Sequence, residues 1–430
     1  MTRLRWLWIP VVLVVIVLAG SWWLSQRHPQ QPAGSEDPAI ASMLKDPGVI
    51  AKGRYLASAG DCASCHTTRD GQAYAGGRML PTPFGNIPAP NITPDAETGI
   101  GSWNFNDFWR ALHDGIGRRG EPLYPAFSYT SFTKVTREDA LAIFAYLRSL
   151  PPVHQPNAAL GLRFPYSVRS TLTAWRAMYF KAGVYQPNAA QSASWNRGAY
   201  LVQGLGHCNE CHAMRDQWGG LEGHAALSGG LIPEQGWYAP DLSTQANGGL
   251  QGWSRQDIIN VLKTGQSSKS AAMGPMADVV ASSTQYLRDE DLQAIADYLL
   301  SLTARARPAP MRASFDRQSL VDRGNAVYVE RCANCHGKDG AGVPGIYPAL
   351  DGNPAVVDPI GINAARAVLL GGFSAATAGN PRPYSMPPYA QQLSDADVAA
   401  VVTYIRHAWS NHATAVQERD VATYRHTPID

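Results

Sequence analysis

All six cysteines of this 430-residue chain fall within three copies of one pattern. Cys62-Ala63-Ser64-Cys65-His66, Cys208-Asn209-Glu210-Cys211-His212 and Cys332-Ala333-Asn334-Cys335-His336 each read C-x-x-C-H, the attachment signature of c-type haem. The chemistry sets the spacing. Two thiols on one turn reach the two vinyl groups of a haem and become thioethers, and the adjacent imidazole falls under the iron as an axial nitrogen. Zinc would need four closing ligands per site, and no second C-x-x-C lies near any copy. Two residues between cysteines suits a redox pair rather than a structural disulfide. The pattern predicts three covalent haem c groups. Cys62, Cys65, Cys208, Cys211, Cys332 and Cys335 attach them, and His66, His212 and His336 bind iron.

A low-spin electron-transfer haem needs a sixth ligand, and methionine raises its potential. In the second unit Gly274-Pro275-Met276 supplies Met276, with Met273 as runner-up. In the third, Ser385-Met386-Pro387-Pro388 holds the sole methionine downstream of the motif. The bland alternative for any of these is core filling. In the first unit the matching loop, Leu123 to Tyr129, has Phe127 and no methionine. Met79, His113 or an open iron position remain there.

The elements that must position these residues repeat as well. Ahead of each motif stands a short helix with a glycine and an aromatic: Gly53 with Tyr55, Gly198 with Tyr200, Gly324 with Tyr328. Such a glycine lets another helix approach closely. Behind each unit lies a second helix with i, i+3, i+4, i+7 apolar spacing. Its residues are Ala140, Ile143, Phe144, Leu147 and Leu150, then Leu292, Ile295, Ala296, Leu299 and Leu302, then Val398, Val401, Val402, Ile405 and Ala408. Each carries a tyrosine at the same place: Tyr146, Tyr298, Tyr404. Thr136 with Asp139 and Ser394 with Asp397 read as capping boxes. Units one and two also share Ala89-Pro90-Asn91-Ile92-Thr93 and Ala239-Pro240-Asp241-Leu242-Ser243, each followed by a tryptophan, Trp103 or Trp253. These indoles either meet haem propionates or simply pack. The expected fold is mainly α, with three class I cytochrome c domains in tandem after an N-terminal transmembrane helix.

The boundaries follow from composition. Trp6 to Leu24 is apolar apart from Ser21 and long enough to span a bilayer. Arg3 and Arg5 precede it and leave the N-terminus cytoplasmic. A cleaved signal peptide is the alternative, but Trp22 and Trp23 after Ala19-Gly20-Ser21 make poor cleavage sequence. The expected layout is an anchor at 1–28, domains at 39–155, 193–304 and 318–411, a connector at 156–192 with a helix within Val168 to Phe180, an extended linker at 305–317, and a mobile tail at 412–430. The formal net charge of +2 gives no general attraction to nucleic acid. Abundant glycine and proline with sparse charge suit small modules that close around a cofactor.

From Lys52 to about Trp409 the chain resembles the membrane-anchored triheme cytochrome c subunits of bacterial periplasmic dehydrogenases. The likeness rests on Gly53-Arg54-Tyr55-Leu56-Ala57, Thr82-Pro83-Phe84-Gly85, Asn91-Ile92-Thr93-Pro94-Asp95, Leu123-Tyr124-Pro125-Ala126 and Gly274-Pro275-Met276-Ala277. The resemblance implies electron transfer from a catalytic partner of PQQ, FAD or molybdenum hydroxylase type to ubiquinone or another acceptor at the inner membrane, with the haem domains in the periplasm. It also implies methionine where this chain has Phe127. That departure and the retained anchor lean toward the molybdenum hydroxylase group. No substrate chemistry is expected from this chain alone. The competing reading is a haem enzyme, a peroxidase or thiosulfate-type dehydrogenase, working at an open first iron.

Overall fold

Three helix crossings organise the chain. The structure is a computed structural model and describes residues 36–221, 226–232, 234–244, 249–302 and 317–426. The expected anchor and the linker through 316 lie outside these residues. Among the described residues no helix is long and apolar enough to cross a membrane.

In domain 1, α1 (Pro47–Ala59) starts at Asp46, whose carboxylate accepts from the amides of Gly48 and Val49. It crosses α2 (Arg137–Ser149). A β-carbon on Gly53 would come to 2.5 Å from the carbonyl carbon of Ala142 and 2.9 Å from Cβ of Tyr146. The geometry recurs in domain 2, where α4 (Ala193–Tyr200) crosses α7 (Asp289–Leu300). It recurs again in domain 3, between α8 (Arg317–Arg331) and α10 (Asp395–His407). There the hypothetical distances are 2.5 Å to Ala294 from Gly198 and 2.7 Å to Ala400 from Gly324. Directly before each glycine a cation pairs with an aspartate three residues before that alanine. These pairs are Lys52–Asp139 at 2.9 Å, Arg197–Asp291 at 2.7 Å and Arg323–Asp397 at 2.7 Å. The expected apolar faces of α2, α7 and α10 are buried, except that Leu150, Leu302 and Ala408 fall just past the helix ends and are half-buried.

Between the crossing helices, domain 1 carries strands β1 (Met79–Thr82) and β2 (Gly85–Pro88), paired antiparallel. A two-residue strand, β3 (Gly161–Leu162), joins β2 from within the expected connector. The connector helix α3 (Thr171–Tyr179) packs back on domain 1: Phe180 meets Tyr129 edge-on at 5.0 Å, and Arg169 donates to the Pro122 carbonyl. Domain 2 has the equivalent hairpin, β4 (Ser228–Ile232) with β5 (Trp237–Asp241), then α5 (Arg255–Thr264) and α6 (Pro275–Ser282). Domain 3 has α9 (Ile362–Leu370) and no hairpin of this kind among the described residues. Ser394 and Asp397 form the expected reciprocal capping box, as do Ser254 and Asp257 on α5. The Thr136 hydroxyl accepts from the Asp139 amide.

Contacts divide the described chain into two units. The first runs through Gln186 and includes Gln203–His207 and Gln217–Gly220. The second holds the rest of domain 2 with all of domain 3. The segment expected as a mobile tail, 412–430, is ordered as far as it is described, and 427–430 lie outside the described residues. Residues through 426 form α11 (Glu418–Arg425), which packs on domain 3 with Val416 and Val421 in its core. Two valines among polar neighbours were too weak an apolar signal to read as a docked element.

A methyl group at the first crossing has nowhere to go. Gly53→Ala is expected to cost about 3 kcal/mol, the upper end of overpacking penalties. Gly183, with no described residue within 4 Å of an added β-carbon, is the control. Thermal unfolding of Gly53→Ala beside Gly183→Ala checks this. Equal midpoints would show that the helices separate without cost.

Candidate haem sites

Each C-x-x-C-H forms one helical turn after the first crossing helix of its domain, in the second domain beyond a π-helical extension at Leu201–Leu205. The turns span Cys62–His66, Asn209–His212 and Ala333–His336. The amides of His212 and His336 donate to the carbonyls of Cys208 and Cys332, at 2.9 and 3.0 Å. Thiol and imidazole thus share one turn, as the chemistry requires. No disulfide joins any of the six cysteines. Burial pushes the Cys62 and Cys208 thiols up to about 12 and Cys332 to about 11. Thiols in that state would be inert in the folded pocket, whereas thioethers do not titrate.

The three histidines are oriented alike. His66 Nδ1 donates to the Pro90 carbonyl at 2.7 Å, His212 Nδ1 to Pro240 at 2.7 Å, and His336 Nδ1 to Pro348 at 3.1 Å. A carbonyl can only accept, so Nδ1 carries the proton and Nε2 keeps its lone pair for a metal. Burial lowers all three imidazoles below their ordinary value, against the opposing pull of the carbonyl bond. The neutral, ligating form is therefore favoured.

The sequence reading missed the three prolines as functional residues. Their signal was present, since Ala89-Pro90 and Ala239-Pro240 belong to the matched segments and Tyr347-Pro348 stands in the third. The separations from histidine, 24, 28 and 12 residues, hid the shared role.

In domain 3 one cavity is lined by Cys332, Cys335, His336 and Met386 together, walled by Tyr328, Val401 and Ile405. Gly372 and Met386 exchange backbone hydrogen bonds, which fixes the methionine loop opposite the motif. An apolar cavity with an imidazole, a thioether and two cysteines fits a covalent haem. In domain 2, Met276 lies in the first turn of α6 within a cluster of Ala272, Ala277, Val280 and Ala375. Gly274 just before it abuts the Trp237 ring on β5, the strand that carries Pro240. The buried Trp253 Nε1–H has no hydrogen-bond partner among the described residues. A buried donor left without an acceptor is costly, and an acidic group on a haem would satisfy it.

Domain 1 differs. Phe127 packs on Phe132 at 5.4 Å. Met79 lies on β1 and is 47% exposed, a poor setting for an iron ligand. His113 stacks on Trp109 at 4.6 Å, with its Nδ1 2.7 Å from Asp114 Oδ1.

A cytochrome c family profile matches residues 50–151, 196–303 and 321–409. The chain belongs to the cytochrome c family. It is 37% identical over 404 residues to the gluconate 2-dehydrogenase cytochrome c subunit of Pantoea cypripedii, covering 90% of this chain and 92% of that one. It is 38% identical over 400 residues to the alcohol dehydrogenase (quinone) cytochrome c subunit of Gluconobacter oxydans, covering 89% and 83%. It is also 40% identical over 401 residues to a nicotinate dehydrogenase subunit of Pseudomonas putida. That match covers 92% of this chain, which spans about a third, 32%, of that relative.

Proposed function

We propose that this chain is the triheme electron-transfer subunit of a periplasmic dehydrogenase complex, passing electrons from a catalytic subunit to ubiquinone or another respiratory acceptor. The observation that carries the reading is the threefold histidine geometry, with the imidazole Nδ1 of each motif held by a proline carbonyl. Haem c supplies reversible one-electron chemistry. The chain's residues do the rest. The cysteine pairs would attach the cofactor covalently, His66, His212 and His336 would offer Nε2 to its iron, and Met276 and Met386 would offer thioether sulfurs. The relatives named as dehydrogenase cytochrome subunits support a catalytic dehydrogenase as partner. Phe127 and the similarity to the nicotinate dehydrogenase subunit favour the molybdenum hydroxylase type among the candidate partners. The apolar run from Trp6 to Leu24 supports attachment to the inner membrane. Nothing among the relatives named above favours a peroxidase. Copurification from detergent-solubilised membranes tests the partner.

Three measurements test the sites. Intact mass of the purified chain is expected to show three haems; a smaller shift would sink the count. Met276→Ala and Met386→Ala are each expected to turn one haem high-spin and lower its potential, because thioether ligation favours ferrous iron. An unchanged spectrum in either variant would remove that methionine from the ligand set. In domain 1 the exposure of Met79 and the engagement of His113 support an open axial position. EPR of the oxidised protein is then expected to show one high-spin and two His/Met low-spin signals, whereas three low-spin signals would refute the open position.

A further inference from the structure

The domain 3 cavity is not built by domain 3 alone. Gln266, Ser270, Ala271 and Met273, all from the loop that leads to Met276, line it together with His336 and Met386. Met273 therefore faces the neighbouring domain's cofactor site, although by sequence it competes with Met276 for its own. Its sulfur lies so close to Gly372 that a β-carbon there would come within 2.7 Å of it and 3.4 Å of Cβ of Met386. Gly372 is the backbone partner of Met386, with N···O distances of 2.9 and 3.1 Å. The contact is anchored on both sides. Asn363 of α9 grips Tyr238 of β5 through two buried amide hydrogen bonds, at 2.9 and 2.7 Å. Ser270 Oγ donates to Asn353 at 3.1 Å, and Ala375 enters the apolar cluster around Met276.

We propose that Met273 of the second domain is a positioning residue for the third haem, pressing on the Gly372–Met386 pair and closing that side of the cavity to water. The inference rests on the haem reading above. The physical consequence is a potential set partly across a domain boundary. Ferric haem carries more charge than ferrous, so water admitted to the cavity favours the ferric form and lowers the potential. Met273→Leu keeps apolar volume and loses sulfur; Met273→Ala leaves a gap.

The test uses the full chain, with intact mass and the Met386→Ala spectrum first establishing three haems and identifying the third. Spectroelectrochemical titration of Met273→Ala is then expected to shift the third haem's reduced-to-oxidised ratio about tenfold toward oxidised at fixed potential, about 59 mV for one electron. The first haem should be unmoved and the third should stay low-spin. Met273→Leu is expected to restore the wild-type value. An unmoved third haem in Met273→Ala would overturn the proposal. So would high-spin iron in Met273→Leu, since Met273 would then be a ligand rather than a positioning residue. Fewer than three haems by mass, or an unchanged Met386→Ala spectrum, would instead count against the haem reading.

Discussion

A glycine set against a main-chain carbonyl fixes the geometry on which each domain depends. Any side chain at Gly53, Gly198 or Gly324 would collide with the backbone at Ala142, Ala294 or Ala400. The helices therefore cross closer than side chains ordinarily allow. The tyrosine four residues beyond each alanine and the aspartate three residues before it take up the flanking contacts. These pairs are partly exposed, and exposed ion pairs contribute little stability. What they add is register, since a cation directly before the glycine meets its aspartate at one helix rotation only. With both helices fixed in rotation, the turn bearing the cysteines emerges at one place. In the first domain only Gly60 and Asp61 separate α1 from Cys62.

The second constraint acts on the imidazole. Different scaffolds bring a proline carbonyl to the same nitrogen. In the first two domains it comes from the end of a β-hairpin, and in the third from a short loop after Val343 and Tyr347 pair. Since local structure differs and the end point does not, the carbonyl is what the site requires. Proline suits the role because its ring presets φ and its missing N–H leaves no competing donor.

Legibility in the sequence tracked how local each feature is. The three C-x-x-C-H turns and the apolar faces of α2, α7 and α10 depend on spacings within one or two turns, and they could be read. The crossing glycines could be read because each recurs beside an aromatic. The cation–aspartate pairs could have been read but were not, since each spans 74 residues or more and only the threefold recurrence reveals them. The place of Met273 beside the third domain's cavity was hidden for a related reason. A methionine in a ligand loop looks like a ligand, and nothing within one domain's sequence says that the neighbouring domain supplies its contacts. Burial of Arg406 and Asp358, both fully enclosed, is equally invisible in a run of ordinary helix and loop residues.

That buried pair explains how the third domain closes without a hairpin. The Asp358 carboxylate accepts from the amides of Ile360 and Gly361 at 2.9 and 2.6 Å. Arg406 donates to the carbonyls of Val356 and Thr414, tying α10 to the loop before α9 and to the C-terminal segment. Removing one member of such a pair strands the other and costs about 3–5 kcal/mol. The same loop sets the start of α9, and α9 carries Asn363. Asn363 holds the backbone of Tyr238, two residues before the Pro240 carbonyl that orients His212. A continuous run of hydrogen bonds and covalent chain thus leads from the core of the third domain to the motif histidine of the second, His212. The two domains are separate in sequence pattern, but their cofactor sites share one polar framework.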